Sequence, residues 1–453
     1  MQSTITQSHS FFPLATVRLP IWVGGYEPLG VTDDKVVVFS EAHRKVFHLR
    51  PTELTERRLQ LVLGIEWCER SAKAIQEQAD DPSIKPYREL ANVLIRACQE
   101  EGPYRPVHER RSGIWPDGRG GLFINGRVLW TSGGATLQHG IHDGYAYPLV
   151  PDSCCAVGTP EATRAEITGL LDILRGFAWV TRMAPELLLG WTALAAFCAA
   201  LHRRPHMLIT GPAGSGKTTL LDIVGWLLDE SAVFFASPPT SAGLRQTLKG
   251  RPARAVVIDE FEADERHGAS RQILEAARAS YSMSEQAGWQ VHGTAAGEAN
   301  STCLISPFLA AGISPGHMKA ADLSRWVLLE LGRPRTDAQA VLPTQAEANA
   351  LGARLIRLFI KRWTSFTKTL AVLHAAILRA GADSRMADTY SHLLAAYWTL
   401  VEGRVVDDGS ADALVVNLNL EPGTNTHHGH DEGECLNALL TRVVSRCQDP
   451  SFH

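Results

Sequence analysis

The sequence predicts an α/β fold in which a parallel sheet is flanked by helices, with a mixed α/β domain before it and a helical region after it. Three observations predict this class. Short apolar runs alternate with helical patterns between His206 and Leu331, which is typical of a parallel sheet. A glycine-rich turn joins the first of these runs to a helix, and amphipathic helical patterns dominate the chain beyond Leu331.

The composition describes a soluble globular protein with a sizeable core. The chain has 453 residues, of which 45% are hydrophobic and 20% are charged, and this length accommodates two or three domains. A formal net charge of -4 argues against a globally basic nucleic-acid binder. It does not exclude a ring or a channel, because such a structure needs positive charge only along its lining.

The eight cysteines have no paired C-x-x-C spacing, which argues against a zinc ribbon and against a disulfide framework. Reduced thiols in a cytosol fit this pattern best. The N-terminus lacks the basic-then-apolar order of a secretory signal, and the most apolar segment, Leu187–Leu201, is shorter than the ~20 residues that span a bilayer. We therefore expect a cytoplasmic protein with no membrane partner.

Residues 1–158 are predicted to form the mixed α/β domain. Two apolar runs flank a polar turn in "KVVVFSEAHRKVFHL", and Asn125-Gly126 separates two more in "GLFINGRVLW", so both stretches predict hairpins. "KPYRELANVLIRACQEEG" predicts a helix between Pro86 and Gly102. A nearby basic cluster is interpreted as a solvated face in preference to a DNA contact. Its members are Arg105, His108, Arg110 and Arg111.

Residues 159–335 are predicted to form the central α/β domain. In "TPEATRAEITGLLDILRGFAW", Thr159 is a capping residue and Pro160 fits the first helical position. The apolar segment Leu187–Leu201 predicts a buried helix, and both helices lead to a strand over His206–Thr210.

Residues 336–453 are predicted to form a helical lid and the start of a further module. The capping pattern "TQAE" begins the first of three helical segments, which contain "ARLIRLFIKRW", "TLAVLHAAIL" and "SHLLAAYWTLV". Near the end, "HHGHDEGEC" is rich in metal-ligand residue types, but its spacing fits no standard zinc site, so a polar linker is favoured. "GECLNALLTRVVSRC" then predicts a further helix.

A phosphate-binding loop is predicted in "GPAGSGKT", which satisfies G-x-x-x-x-G-K-[ST] between a predicted strand and a predicted helix. Its glycines allow backbone N–H groups to surround a β-phosphate at the helix N-terminus. Lys217 would neutralise the β- and γ-oxygens, and the Thr218 hydroxyl would coordinate magnesium. The pattern implies ATP and Mg²⁺ as cofactors. The predicted contacts are Gly211, Gly214, Gly216, Lys217, Thr218 and Thr219.

A second acidic motif is predicted to complete this site. In "RAVVIDEFE" an apolar strand over Ala255–Ile258 ends in Asp259-Glu260. Asp259 would hold the magnesium through its coordination shell, and Glu260 would polarise the attacking water as a general base. Alone, the pair could be the start of a loop, but its spacing from the phosphate-binding loop favours the catalytic interpretation. The adjacent Glu260 also separates this site from GTPases and most small-molecule kinases.

Two further motifs complete the predicted nucleotide site. "TCLISPFLAAGIS", from Thr302 to Ser314, predicts a third strand. If that strand adjoins the strand that ends in Asp259-Glu260, Ser314 is a candidate sensor of the γ-phosphate. A serine that only caps the end of an ordinary strand is the alternative. In "ADLSRWVLLEL", Arg325 precedes another strand and is a candidate for stabilising transition-state charge on a neighbouring subunit's nucleotide. A salt bridge to Asp322 is the alternative.

This order of motifs, ending in a helical lid, resembles that of AAA+ ATPases. "GWQVHGTAAGEANSTCLI" resembles the pre-sensor hairpin that superfamily 3 and related replicative helicases project into a central pore. In that family a basic residue at the tip grips a DNA phosphate. The resemblance makes His292 and Thr294 the candidate DNA contacts, with His292 at the tip where lysine is more usual. A structural histidine at a turn is the alternative.

Five segments are similar to the helicase half of prophage and mobile-element primase-helicase proteins, over roughly Gly30 to Leu400. They are "RPHMLITGPAGSGKTTLLD", "SAGLRQTL", "VVIDEFEAD", "HGTAAG" and "DLSRWVLLEL". The resemblance implies a P-loop AAA+ core at 159–335 in a hexameric ring helicase of the bacterial host's cytoplasm. Single-stranded or fork DNA and a primase are the implied partners. No primase motif is found in the sequence, which indicates a fragment or a shortened member.

Two alternatives stay open at the level of sequence. The same loop would serve a nucleotide-switched ATPase that binds DNA or recruits a partner without unwinding. A small-molecule kinase would also use it, but Asp259-Glu260 and Arg325 argue against that class. Arg354 and Arg385, on predicted lid helices, are candidates for a second nucleotide sensor, and the sequence does not choose between them.

Overall fold

The computed structural model divides the chain into two compact units, residues 1–158 and 159–453. The residues that it describes are 11–13, 18–20, 25–32, 34–79, 83–105, 109–151, 154–262, 268–282, 289–293, 299–313, 318, 320–333 and 342–419. Along these residues, no helix is long and apolar enough to cross a membrane.

Over its described residues, the first unit combines antiparallel sheets with three α-helices. Its elements are β1 (Phe11–Pro13), β2 (Arg18–Pro20), β3 (Tyr26–Val31), β4 (Val36–Ser40), β5 (Lys45–Leu49), α1 (Glu56–Leu63), α2 (Ile65–Gln78), α3 (Pro86–Glu101), β6 (Gly113–Pro116), β7 (Leu122–Asn125), β8 (Leu129–Thr131), β9 (Thr136–Leu137), β10 (Gly140–His142) and β11 (Tyr145–Tyr147). Strands β3 to β5 form one sheet and β6 to β9 another. The predicted hairpins β4–β5 and β7–β8 and the predicted helix α3 are confirmed.

The predicted solvated basic cluster is wrong at Arg110. This side chain is buried, and its guanidinium donates to the carbonyl of Pro116 and to the hydroxyl of Tyr147, both at 2.6 Å. The guanidinium carbon also lies 3.4 Å from the centroid of the Tyr145 ring. Hydrogen bonds and aromatic faces together offset the cost of removing this cation from water. Arg105 is exposed, and His108 lies outside the described residues.

The second unit contains a five-stranded sheet flanked by helices. Its elements are α4 (Arg164–Arg175), α5 (Ala184–Ala195), β12 (His206–Thr210), α6 (Lys217–Leu228), β13 (Ala232–Phe235), α7 (Ser241–Leu248), β14 (Ala255–Ile258), α8 (Ala269–Ser280), β15 (Trp289–Gly293), β16 (Ala299–Cys303), β17 (Phe308–Gly312), α9 (Ala320–Leu323), β18 (Trp326–Glu330), α10 (Gln345–Lys361), α11 (Trp363–Arg379), α12 (Ser384–Val401) and α13 (Asp408–Leu418). The order β13-β14-β17-β12-β18 is parallel throughout, which confirms the predicted parallel sheet.

Burial on both faces explains why the central strands read as continuous apolar runs. Every residue of β14 and β17 is buried. At the start of β12, the imidazole of His206 is fully buried; its Nδ1 accepts from the Phe308 N–H at 3.1 Å, and its Nε2 contacts the Ala277 carbonyl at 2.8 Å. Burial lowers the pKa of His206 to about 3, so the neutral ring ties β12 to β17 and α8.

Two predicted helix boundaries are wrong. Helix α4 is capped by Thr163 instead of Thr159, because Thr163 and Glu166 form a reciprocal capping box. The predicted helix over Leu187–Leu201 corresponds to α5, which ends earlier, at Ala195, and a 3₁₀ turn follows it. The buried guanidinium of Arg204 donates to the carbonyls of Cys198 and Leu201, so these groups are satisfied beyond the end of α5.

The predicted third strand, Thr302–Ser314, is divided in two. Strand β16 ends at Cys303 and β17 begins at Phe308. Between them, the Ser306 N–H donates to the Ser280 hydroxyl at 2.8 Å, and Pro307 has no backbone N–H donor. The backbone donors of a continuous strand are therefore missing at this point.

The C-terminal helices pack within the second unit. The three predicted helical segments are confirmed as α10 to α12, and Thr344 with Glu347 forms the predicted cap of α10. Helix α13, capped by Asp407, was not predicted. Helix α10 packs on α6, and α12 packs on α5 and α11. At the α10–α6 contact, Gly352 approaches the backbone of Leu227 so closely that a Cβ would overlap its carbonyl oxygen.

Candidate nucleotide site

The glycine-rich loop follows β12 and leads directly into α6. Gly214 and Gly216 have φ angles of +75° and +94°, in the left-handed region that glycine adopts without strain. Gly216 caps α6 without any side-chain hydrogen bond to the first turn. The N–H groups at the beginning of a helix have no intrahelical partner and attract anions, so this loop is shaped to bind phosphate.

Lys217 folds back over this loop. Its ammonium donates to the carbonyls of Gly211 at 2.7 Å and Pro212 at 2.9 Å. These partners are neutral, so they position the positive charge within the loop without cancelling it. The ammonium therefore stands where it could exchange a carbonyl for a phosphate oxygen.

A hydrogen bond joins the loop to the acidic motif. The Thr218 hydroxyl donates to Asp259 Oδ2 at 2.7 Å, although the two residues are 41 positions apart in the chain. The bond brings the first turn of α6 to the carboxyl end of β14, despite the strand that lies between β12 and β14. A hydroxyl and a carboxylate are oxygen ligands of the kind that Mg²⁺ prefers.

Asp222, which sequence reasoning missed, adds a second acid near Asp259. Burial raises the pKa of the Asp222 carboxyl, and the neighbouring charge of Asp259 raises it further. Asp222 lies one helical turn after Thr218, so the two share one face of α6. That spacing was the signal available in the sequence.

The backbone turns sharply at Glu260. Its φ angle is +49°, a conformation that costs a non-glycine residue about 1–2 kcal/mol. Both neighbours are fixed: the Asp259 N–H donates to Phe235 at 2.9 Å, and the Phe261 N–H donates to Ala311 at 2.7 Å. The strained turn leaves the Glu260 side chain exposed beside the partly buried Asp259. An exposed carboxylate at this point can act as a proton acceptor.

Strand β17 lies between β14 and β12. The strand predicted to carry the γ-phosphate sensor therefore adjoins the strand that ends in Asp259-Glu260, as the sensor role requires. Gly312, the last residue of β17, pairs with Thr210, the last residue before the loop. Ser314 itself lies outside the described residues.

Arg325 lies at the opposite end of the sheet from the glycine-rich loop. It precedes β18, and its carbonyl accepts from the His206 N–H at 3.1 Å, at the start of β12. The five residues of β12 place it about 17 Å from the loop, beyond the reach of an arginine side chain. Its guanidinium carbon lies 5.6 Å from the centroid of the Tyr281 ring. Burial lowers the pKa of Arg325, and the charge of Arg385 lowers it further.

Each of the two candidate sensor arginines contacts a side chain outside the loop. Arg354 forms an ion pair with Glu166 on α4 at 2.7 Å. Arg385 contacts the Ser324 hydroxyl at 3.4 Å, next to Arg325.

The segment that resembles a pore hairpin is a hairpin. Strands β15 and β16 pair antiparallel, with His292 opposite Asn300. His292 therefore belongs to the strand, and its prediction as the tip is wrong: the register keeps pairing through Gly293 and Ala299. Thr294 lies outside the described residues, as does the metal-ligand-rich stretch at 427–435. Across the described residues, no group of three or more His, Cys, Asp or Glu side chains could hold a metal ion.

Comparison with known proteins finds no matching family model and no matching curated protein. Similar solved structures include the A form apo structure of the NrS-1 C-terminal region, which is 10% identical with a TM-score of 0.35 over 86% of this chain and 91% of that chain. A second apo structure of that region is 11% identical, with a TM-score of 0.34, over 86% of this chain and 91% of that one.

Proposed function

We propose that this chain is an AAA+ ATPase that assembles into a hexameric ring and translocates on single-stranded DNA, as a helicase in the replication of a mobile genetic element. The observation that carries the proposal is the 2.7 Å hydrogen bond between Thr218 and Asp259 at the mouth of the glycine-rich loop. It places both magnesium-ligand types beside a helix N-terminus that is built to hold phosphate.

Four residues have separate proposed roles in ATP hydrolysis. The loop N–H groups and Lys217 hold the β- and γ-phosphates, and Thr218 and Asp259 hold Mg²⁺ through their oxygens. Bound Mg²⁺ supplies positive charge that neutralises the phosphate oxygens. Glu260 accepts a proton from the attacking water, since its carboxylate is exposed beside Asp259.

The position of Arg325 supports the proposed ring. Because it lies about 17 Å from the loop of its own chain, it can stabilise transition-state charge only on a nucleotide bound to another copy. In a head-to-tail ring, the surface of each subunit that carries Arg325 would face the glycine-rich loop of the next subunit. Hydrolysis should therefore rise more steeply than linearly with protein concentration.

The β15–β16 hairpin is the proposed DNA contact. In a ring, six such hairpins would line a pore and contact phosphates, which gives a salt-sensitive affinity with little sequence preference. His292 is the basic residue on β15 closest to the turn. Fork DNA is the proposed substrate, and a primase is the proposed partner.

Single-stranded DNA is expected to accelerate ATP hydrolysis by the wild-type protein, and the same preparation should separate a forked duplex. His292→Ala should weaken the stimulation while leaving DNA-free hydrolysis unchanged. His202→Ala, an exposed histidine before β12, is the matched control. Steady-state hydrolysis over a range of DNA and salt concentrations measures the effect. Equal stimulation of both variants would remove His292 from the DNA contact.

A second candidate is a nucleotide-driven switch that recruits a partner without translocating. The placement of His292 within the strand favours it, because the tip then lacks the basic residue assigned to it. Hydrolysis that depends on protein concentration but is indifferent to DNA would support this candidate over the helicase.

A further inference from the structure

A groove opens in the first unit between α3 and the segment that leads into α1. Its volume is about 580 Å³, which lies within the range of ligand-binding sites in proteins. Its lining extends along α3 from Lys85 to Ile95, about 15 Å, which is the length of roughly five extended residues of a peptide. The apolar part of the lining consists of Pro51, Leu54, Ile84, Pro86, Ala91 and Ile95.

Core contacts hold the groove in shape. Leu54 and Ala91 are each 8% exposed and belong to the hydrophobic core of the first unit, and the half-buried Ile95 packs against that core. The Gln60 amide donates to the Tyr87 hydroxyl at 2.9 Å, which joins α1 to α3 beside the groove. A preformed groove of this kind needs little reorganisation of the protein when a ligand binds.

Two cations lie at one end of the groove. Lys85 is the N-cap of α3 and Arg88 is in its first turn, and both are exposed and line the groove. Among the described residues, neither side chain forms an ion pair. The acid of the same turn, Glu89, accepts from Asn92 at 3.4 Å. Because the partial positive charge at the start of a helix disfavours cations there, an anionic ligand would relieve an unfavourable arrangement.

The lining favours a peptide over a nucleic acid. Single-stranded DNA binds by stacking its bases on aromatic rings, and the described lining residues include one such ring, that of Tyr87. Glu56 lines the groove as well, and its carboxylate would repel a backbone that carries a phosphate at every nucleotide. A peptide can instead place its carboxylates beside Lys85 and Arg88 and its aliphatic side chains along the rest of the groove.

We propose that this groove is the docking site for a segment of a partner protein in which acidic residues adjoin aliphatic ones. The carboxylates bind Lys85 and Arg88, and the aliphatic side chains pack on the apolar lining as far as Ile95. Burial of apolar surface supplies the affinity, and the charges fix the direction of the segment in the groove. The inference goes beyond the proposed function, because no residue of the nucleotide site takes part in it.

The binding of a synthetic peptide to the full chain tests this inference. The probe is a fluorescein-labelled hexapeptide, half aspartate and half leucine, and its fluorescence anisotropy is measured. We expect saturable binding that weakens as salt is added. Arg88→Glu should weaken binding by at least about tenfold without lowering the Tm, because an acid suits the first turn of a helix. Arg96→Glu, at an exposed position of α3 outside the lining, is the matched control and should bind as the wild type does.

Each part of the peptide is tested in turn. Replacing its leucines by serine, or its aspartates by lysine, should abolish binding, and binding that survives either change overturns the inference. An equal loss of binding in Arg88→Glu and Arg96→Glu also overturns it. If an oligothymidine binds in place of the peptide and is lost in Arg88→Glu, the two cations belong to a nucleic-acid site, which overturns the inference as well.

Peptide binding is independent of the proposed ATPase activity. Lys217 lies in the second unit, so Lys217→Ala should bind the peptide as tightly as the wild type does. Saturable binding by a protein that does not hydrolyse ATP would support the inference while the proposed function fails. A wild-type protein that hydrolyses ATP but does not bind the peptide would overturn the inference alone.

Discussion

Replacing Glu260 by glutamine is expected to preserve ATP binding and to lower turnover by about 10²- to 10⁴-fold. Glutamine has the same shape but accepts no proton from water. The turn at this position is held by main-chain bonds of Asp259 and Phe261, which do not use the carboxylate. The loop and Lys217 should therefore bind nucleotide as before. Fluorescent ATP binding and steady-state hydrolysis measured on one preparation separate the two effects.

Glu262→Gln is the matched control for that experiment. Glu262 is also exposed and lies two residues beyond Glu260, past the buried Phe261. The same chemical change there should leave both binding and turnover at the wild-type level. Full turnover of the Glu260→Gln protein would remove this residue as the general base.

Gly352→Ala is expected to lower the free energy of unfolding. A Cβ at this position overlaps the carbonyl oxygen of Leu227, so α10 and α6 must move apart. Overpacking of this kind costs about 1–3 kcal/mol, and here it must also outweigh the ~1 kcal/mol by which alanine favours a helix interior. We expect a lower Tm in calorimetry and weaker ATP binding, because α6 carries the end of the phosphate-binding loop.

Gly169→Ala is the same substitution in an open position. Gly169 is exposed on α4, and a Cβ there would meet nothing within 4 Å. This variant should be as stable as the wild type or more stable. Equal Tm shifts for the two variants would contradict the close approach of α10 to α6.

Much of the candidate site could be predicted because it depends on local sequence. The glycine-rich loop needs particular residues at fixed spacing, and the Asp-Glu pair ends an apolar strand, so Lys217, Thr218 and Asp259 could be identified without a structure. The same holds for the capping box of α10 and for the Asn125-Gly126 turn.

The other features of the site and the fold depend on contacts between residues that are distant in the chain, which motif spacing does not predict. The order of the strands decides that Thr218 meets Asp259 and that Arg325 lies far from its own loop. The burial of Arg110 depends on aromatic rings that are distant in the chain. The carbonyls of Cys198 and Leu201, residues that periodicity places in a helix, are satisfied by Arg204 beyond the end of α5.

The measurement that tests the central claim most directly is the rate of Mg²⁺-dependent ATP hydrolysis across protein concentrations, for the wild type beside Lys217→Ala. Lys249→Ala, an exposed lysine after α7, is the control. We predict hydrolysis by the wild type and by Lys249→Ala, and none above background by Lys217→Ala. Hydrolysis that persists in Lys217→Ala would contradict the account, because the catalytic site would then lie elsewhere.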